Sequence, residues 1–326
     1  MSTYLMQKQP MLRLAVPYDE RILGLPNQGF RTLIEALWET THPFFDIWKC
    51  HANDLLADTA YDAVFLVRTV GGSETHLKHY SSHNIFIAIW HDDLHRHLWT
   101  KDEINQLWLK RCDQANIIFL PYFRQMFDFK IYRPFIPKML SSPWSVPDKI
   151  FHFARPWESR IPKILFSGMV ARQYPLRKRI RNYILRTGVS DFDIQEHPSY
   201  NVGNLSHDII GQRYYERLGQ YQGAIVTSAQ RPVNYTVAKY FEVPGCGTLS
   251  FMEKTPDLLD FGFVEDENYI PITRWNYKRQ IKIIHSQEGI RIADRGCQLV
   301  MKRHTHSVRI ANILSHIYSY IKARSI

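Results

Sequence analysis

The chain has 326 residues, 45% of them hydrophobic, 13% aromatic and 22% charged, a profile that suits a folded protein of two ordinary domains and excludes a disordered chain. Fifteen Gly and 17 Pro without period exclude collagen-like and low-complexity architectures. Forty-one Lys+Arg against 31 Asp+Glu give a formal charge of +10, which serves solubility or a polyanionic partner: nucleic acid, an anionic membrane surface or a phosphate-bearing small molecule.

The cysteines, Cys50, Cys112, Cys246 and Cys297, lie far apart with no CxxC pair. They exclude a metal-finger framework and fit reduced thiols in a cytosol-like compartment. No window approaches the ~20 apolar residues that span a bilayer. The N-terminus, MSTYLMQKQP, lacks the apolar core of a signal peptide. The expectation is a soluble, cytoplasmic protein.

In chain order, residues 11–16 (MLRLAV) form a short apolar run before a Gly/Pro/Asn loop, GLPNQG, at 24–29. Residues 31–39 (RTLIEALWE) place Leu33, Ile34, Ala36, Leu37 and Trp38 at helical spacing. The runs AVFLV (63–67), NIFIAIW (84–90) and ANIIFL (115–120) are short, β-branched or aromatic, and nearly all apolar. Such runs predict strands buried on both faces of a parallel sheet. KDEINQLWLKRC (101–112) reads as an amphipathic helix. From 141 to 162 four prolines, Pro143, Pro147, Pro156 and Pro162, break any periodicity, as in an inter-domain connection.

Alternation then resumes. KILFS (163–167) predicts a strand, the basic segment 172–186 a helix, GAIVTS (223–228) a strand and residues 235–242 a helix. The turn Pro244-Gly245-Cys246-Gly247 stops that helix before a strand at 248–251, and the tail from 287 is mostly helical. The predicted class is α/β, with two Rossmann-like domains of parallel sheet facing one cleft. The boundaries are an N-terminal domain at 1–145, a linker at 146–162, a C-terminal domain at 163–310 and a closing helix at 311–326.

Tyr235, Lys239 and Glu242 fall at i, i+4 and i+7, on one face of the predicted helix. They make a surface pair worth only ~0.3–0.5 kcal/mol, or a ligand site. In the second case the free N–H groups at the helix start attract a diphosphate, Lys239 adds charge and Glu242 accepts ribose hydroxyls. Arg231, in the loop after 223–228, is a further candidate contact for that ligand. In 172–186, Arg177, Lys178 and Arg181 share a solvated helical face that suits an anionic acceptor or membrane lipid, and Arg172 just before the helix is aimed at phosphate. GLPNQG and Gly71-Gly72-Ser73 read as plain turns, without the GxGxxG or Walker spacing.

The run YTVAKYFEVPGCGTLSF (235–251), with YYERLGQYQGAIVTS (214–228) before it, resembles the C-terminal half of the CgeB-like glycosyltransferases. These belong to the GT-B superfamily, whose pattern is K-[YF]-F-E-x-x-x-x-G-x-L. Ser167-Gly168 with Tyr174-Pro175-Leu176-Arg177, and LDFGFVEDENY (259–269) with His304, His306 and Arg309, add weaker matches, so the resemblance spans about 163–310. It implies transfer of a sugar from a nucleoside-diphosphate donor, most naturally a UDP- or GDP-sugar, to a hydroxyl of a glycan, lipid or protein. It implies that Glu242 binds the ribose and Lys239 the diphosphate or sugar. Gly168 would let the backbone approach the phosphates, and Arg172 or Arg177 would neutralise the departing diphosphate. No cofactor or metal is implied. Asn234 and Tyr235 stand where many retaining GT-B enzymes carry an upstream glutamate, which leaves the stereochemical outcome open.

Trp90-His91-Asp92-Asp93-Leu94-His95-Arg96-His97 follows the apolar run 84–89, and ligand-binding groups gather at the carboxyl ends of parallel strands. An inverting transferase needs a group to take the acceptor proton. Asp93, His91 and Asp92 are the candidates, although one aspartate of this pair suits a helix cap. The histidines lack a recognised ligand spacing, so no metal is expected. The competing functions are nucleic-acid binding, which lacks any motif here and is not expected, and a nucleotide-sugar-binding relative without catalysis.

Overall fold

The computed structural model describes residues 11–19, 28–67, 70–91, 102–197, 211–230 and 233–324. The expected class holds: two all-parallel sheets with helices between their strands. In the first, β1 (Leu12–Tyr18), β2 (Phe45–His51), β3 (Ala63–Val67), β4 (Phe86–Trp90), β5 (Ile117–Leu120) and β6 (Met139–Ser141) lie in the order β2-β1-β3-β4-β5-β6. Helices α1 (Gln28–Trp38), α2 (Glu74–Ser82) and α3 (Asp102–Gln114) connect them. Every residue of β3, β4 and β5 is buried, because helices cover both faces. Successive side chains part to opposite faces. Val64, Leu66, Ile87 and Ile89 pack in one core, whereas Phe65, Val67, Ala88 and Trp90 pack in another.

The second sheet holds β7 (Ile161–Ser167), β8 (Phe192–Gln195), β9 (Tyr221–Val226), β10 (Leu249–Glu253) and β11 (Ile270–Ile272), in the order β11-β10-β9-β7-β8. Helix α4 (Pro175–Thr187) joins β7 to β8, α5 (Gln212–Gly219) precedes β9, and α6 (Lys239–Gly245) links β9 to β10. The short helix α7 (Tyr277–Gln280) runs on as a 3-10 turn, Ile281–His285, and α8 (Gln287–Arg303) follows. In each sheet the chain leaves the first strand to one side and returns on the other. The switch points lie between β1 and β3 and between β7 and β9, and crevices at the carboxyl ends of such strand pairs are where open α/β sheets bind ligands.

Two chain crossings join the domains. The first runs from the end of β6 to β7. The second precedes α9 (His306–Arg324), which returns to the N-terminal domain, where Tyr318 stacks on Phe44 at 4.3 Å and Ile310, Ile313, Leu314 and Ile317 enter the core beside the first sheet. The crossings bridge each other at Val146 and Thr305. His306 bonds Ser145 Oγ and Thr32 Oγ1, each at 2.9 Å. The Asp257 carboxylate also accepts the N–H groups of Phe123 and Arg124 across the domains at 2.9 and 2.8 Å, and Arg124 pairs with Asp260 at the surface.

The helix expected over 235–242 is corrected to Lys239–Gly245. The preceding residues stay irregular because side chains hold their backbone elsewhere. Ser228 Oγ donates to the Tyr235 carbonyl at 2.8 Å, and the Thr236 hydroxyl bonds that of Thr255 at 2.5 Å. The helix runs past Glu242 through Pro244 and ends before Gly247, whose φ of +67° needs glycine.

Candidate functional site

The carboxyl ends of β7 and β9 and the start of α6 meet at the second switch point. Ser167 closes β7, and its hydroxyl accepts from Lys239 Nζ at 3.0 Å. Gly168 follows with a φ of +109°, and a Cβ there would sit 2.9 Å from Lys239 Nζ and 3.0 Å from Arg177 Nη1. Glycine is therefore required twice, for its backbone angle and for the approach of two cations. Lys239 also lies 5.5 Å over the ring of Tyr214.

Arg177 turns inward from the first turn of α4, a correction to the solvated face expected of it. Its Nε donates to Thr227 Oγ1 at 2.8 Å, Nη2 to the Thr227 carbonyl at 3.0 Å and Nη1 to the Met169 carbonyl at 2.8 Å, with the guanidinium 4.2 Å over Tyr174. One buried cation thus ties the loop after β7 to the loop after β9. Nε and one N–H of each terminal nitrogen are thereby engaged with backbone and hydroxyl.

Glu242, one turn along α6 from Lys239, shares the crevice, and both are half-buried. Burial lowers the pKa of Lys239, with the nearby Arg177 adding to the fall and Glu242 opposing it. Burial raises that of Glu242, with Lys239 opposing. His197, after β8, is held below its ordinary value by burial and by Lys239 and Arg177, which places it in the same field. At the end of β10, Glu253 accepts the Ser228 N–H at 3.0 Å. Burial pushes its carboxyl up to about 7, against the pull of that bond and of Arg177. Desolvated charges of both signs at a strand terminus mark a functional crevice more often than an ordinary surface.

Gly168, Arg177, Lys239 and Glu242 are thus brought together. Arg172 lies exposed on the loop before α4. Tyr235 turns toward the N-terminal domain and packs on Tyr122, ring centres 4.9 Å apart. His91 has no exposed surface and stacks on Trp108 at 4.2 Å, which makes it a core histidine and takes the proton-acceptor role from it. Asp92, Asp93 and Arg231 lie outside the described residues.

Sequence reasoning passed over Thr227, His197 and Glu253, and gave Ser167 no role beyond its place before Gly168. Ser167, Thr227 and Glu253 each end or follow an apolar strand, which was the available signal. Among the described residues no group of three His, Cys, Asp or Glu side chains is placed to hold a metal ion, and no helix is long and apolar enough to cross a membrane.

No family model matches the chain, and no curated protein matches it. Solved structures do. Sucrose-phosphate synthase from Thermosynechococcus elongatus aligns with a TM-score of 0.61 at 10% identity, over 96% of this chain and 100% of that one. Anabaena HepE in complex with UDP and glucose aligns at 0.59 and 9% identity, over 94% and 100%. A protein described as a UDP-N-acetylglucosamine 2-epimerase from Listeria monocytogenes aligns at 0.57 and 10%, over 96% and 98%. At these identities the likeness is one of fold, and it agrees with the two parallel sheets and the returning C-terminal helix: the chain has the GT-B fold.

Proposed function

We propose that this protein is a CgeB-like glycosyltransferase that moves a sugar from a nucleoside diphosphate to an acceptor hydroxyl. The observation that carries the reading is the meeting of Lys239, Arg177, Glu242 and Gly168 at the switch point of the second sheet. Solved proteins of this fold hold UDP or UDP-glucose, which makes UDP the first nucleotide to try, with GDP next.

In the proposed reaction the acceptor oxygen attacks the anomeric carbon. The bond from that carbon to the diphosphate breaks, and its electron pair leaves with the nucleotide. Lys239 faces the negative charge that develops there. Arg177 strengthens the field and fixes the loops of Gly168 and Thr227, so the stabilising groups are in place before the charge appears. Glu242 holds the ribose hydroxyls. Asp93 or Asp92 takes the proton of the acceptor, and no metal is needed for these steps.

A thermal-shift panel of UDP, GDP, ADP and TDP tests the donor site. One of them raises the melting temperature, and Glu242→Gln removes most of that rise. No shift with any at millimolar concentration refutes the reading. The bound nucleotide sugar then tests turnover: a transferase releases free nucleoside diphosphate when an acceptor is supplied, an epimerase alters the sugar without releasing it, and a binding relative does neither.

A further inference from the structure

Much of the excess positive charge sits on one face of the C-terminal domain. Between Glu158 and Asp191 the sequence has eight Lys or Arg and no acid, and between Glu267 and Glu288 it has four and none. The two stretches are far apart in sequence, yet their helical parts share one core: Leu176, Ile180 and Ile184 of α4 pack with Tyr277, Ile281 and Ile284 of α7 and the turn after it. Lys178, Arg179, Arg186, Arg274, Lys278, Arg279 and Lys282 are exposed, and among the described residues none of the seven has a carboxylate partner.

Aromatic groups lie among these cations. Trp275 is 74% exposed, far more than its size predicts for a side chain with only a structural role. Arg274 lies 4.4 Å and Arg179 5.8 Å from its ring centre, and Lys278 lies 4.3 Å over Tyr183, which meets Tyr277 edge-on. Leu185, 57% exposed, adds an apolar group on α4. On the same helix Arg177 points inward to the crevice and Arg179 outward to this surface.

We propose that this α4/α7 face docks on an anionic phospholipid bilayer. Exposed Lys and Arg supply attraction to lipid phosphates, and an exposed Trp suits the boundary between headgroups and acyl chains. A second copy of the chain would set like charges against each other. Single-stranded nucleic acid stacks its bases on aromatic faces, and here Arg274 lies over the Trp275 ring and Lys278 over that of Tyr183.

Co-sedimentation with vesicles tests this directly. The wild-type protein pellets with an equimolar mixture of phosphatidylcholine and phosphatidylglycerol and stays in the supernatant with phosphatidylcholine alone. Binding is lost at about 1 M salt, where charge attraction is screened within a few ångströms. The triple variant R179Q/R274Q/K278Q lowers the partition coefficient by about 100-fold, at roughly fivefold per charge. W275A lowers binding and leaves its salt dependence in place. Circular dichroism and any nucleotide-induced melting shift, unchanged in the triple variant, separate a lost surface from a lost fold or donor site. Absence of vesicle binding overturns the proposal. So does vesicle binding indifferent to these four residues. Oligonucleotide binding that the triple variant abolishes, with no vesicle binding, reassigns the face to nucleic acid.

Discussion

The Lys239 ammonium and the Ser167 hydroxyl, 72 positions apart in the chain, meet at 3.0 Å. Their bond fastens the start of α6 to the end of β7 and leaves a desolvated amine beside Gly168, where a Cβ would lie 2.9 Å from it.

That amine gives the proposed nucleotide binding a proton signature. Burial and Arg177 hold Lys239 below the ordinary lysine range, so above neutral pH part of its population is uncharged, and a bound diphosphate favours the charged form. Calorimetry of nucleotide binding at about pH 8, in buffers of differing ionisation enthalpy, is expected to show net proton uptake of up to about one per site. Lys239→Met abolishes the uptake and weakens binding by roughly 10- to 100-fold, as expected for loss of a charged hydrogen-bond donor.

Gly168→Ala is expected to cost both stability and affinity. A side chain at φ +109° is strained, and its Cβ would press on Lys239 Nζ and Arg177 Nη1. The strain is of order 1–3 kcal/mol, visible as a lower denaturation midpoint, and the displaced cations raise the nucleotide Kd. Gly188→Ala is the control, since its φ of +60° is also unfavourable while no atom lies within 4 Å: it lowers stability and spares binding.

Glu253 makes stability depend on pH in a definite direction. Its carboxyl ionises near 7 in the folded chain against 4.5 for the free group. Below 4.5 both states are protonated and nothing is lost. Between 4.5 and 7 the folded state holds the extra proton, so stability falls as pH rises. Glu253→Gln retains an oxygen for the Ser228 N–H. It is expected to raise stability at about pH 8 by up to roughly 3 kcal/mol and to change little near pH 4. Urea denaturation at the two pH values reads the difference.

Two carboxylates of one loop reach the N-terminal domain, and they are not equivalent. Asp257 is buried and satisfies two backbone N–H groups. Asp257→Ala strands both donors, at about 1–3 kcal/mol for each buried unsatisfied group. It is expected to loosen the domain contact, seen as faster proteolysis between the domains and a larger radius of gyration. Arg124→Ala removes only an exposed ion pair and is expected to leave both readouts nearly unchanged.

The parts of this architecture that bury both faces of a strand were legible. AVFLV at 63–67 is β3 residue for residue, because a continuous apolar run has few other ways to be buried. Phe45–His51 escaped notice: the segment FDIWKCH mixes polar and apolar residues, as an edge strand paired only with β1 allows. At the site, Lys239 and Glu242 stood out by type and spacing. Tyr235 was assigned to their helix because TVAKYFE has helical texture, and the bonds from Ser228 and Thr255 that keep its neighbourhood irregular come from other elements. Arg177 shows the same limit. Its charge suggests solvent, and its partner, Thr227, lies 50 residues away. His91 likewise looked reactive beside two aspartates until Trp108 closed over it.

The chain passes between its domains twice, and the two passages are bonded side by side at Val146 and Thr305, with His304 and His306 as the backbone partners of Val146. A single tether would let one half swivel freely. A paired tether behaves as a door leaf on a strap: it favours swing about one line and resists torsion. Any rearrangement between the domains is therefore directed to the edge farthest from that strap, and severing the backbone at position 305 would leave the guidance to the single remaining crossing and the Asp257 contacts.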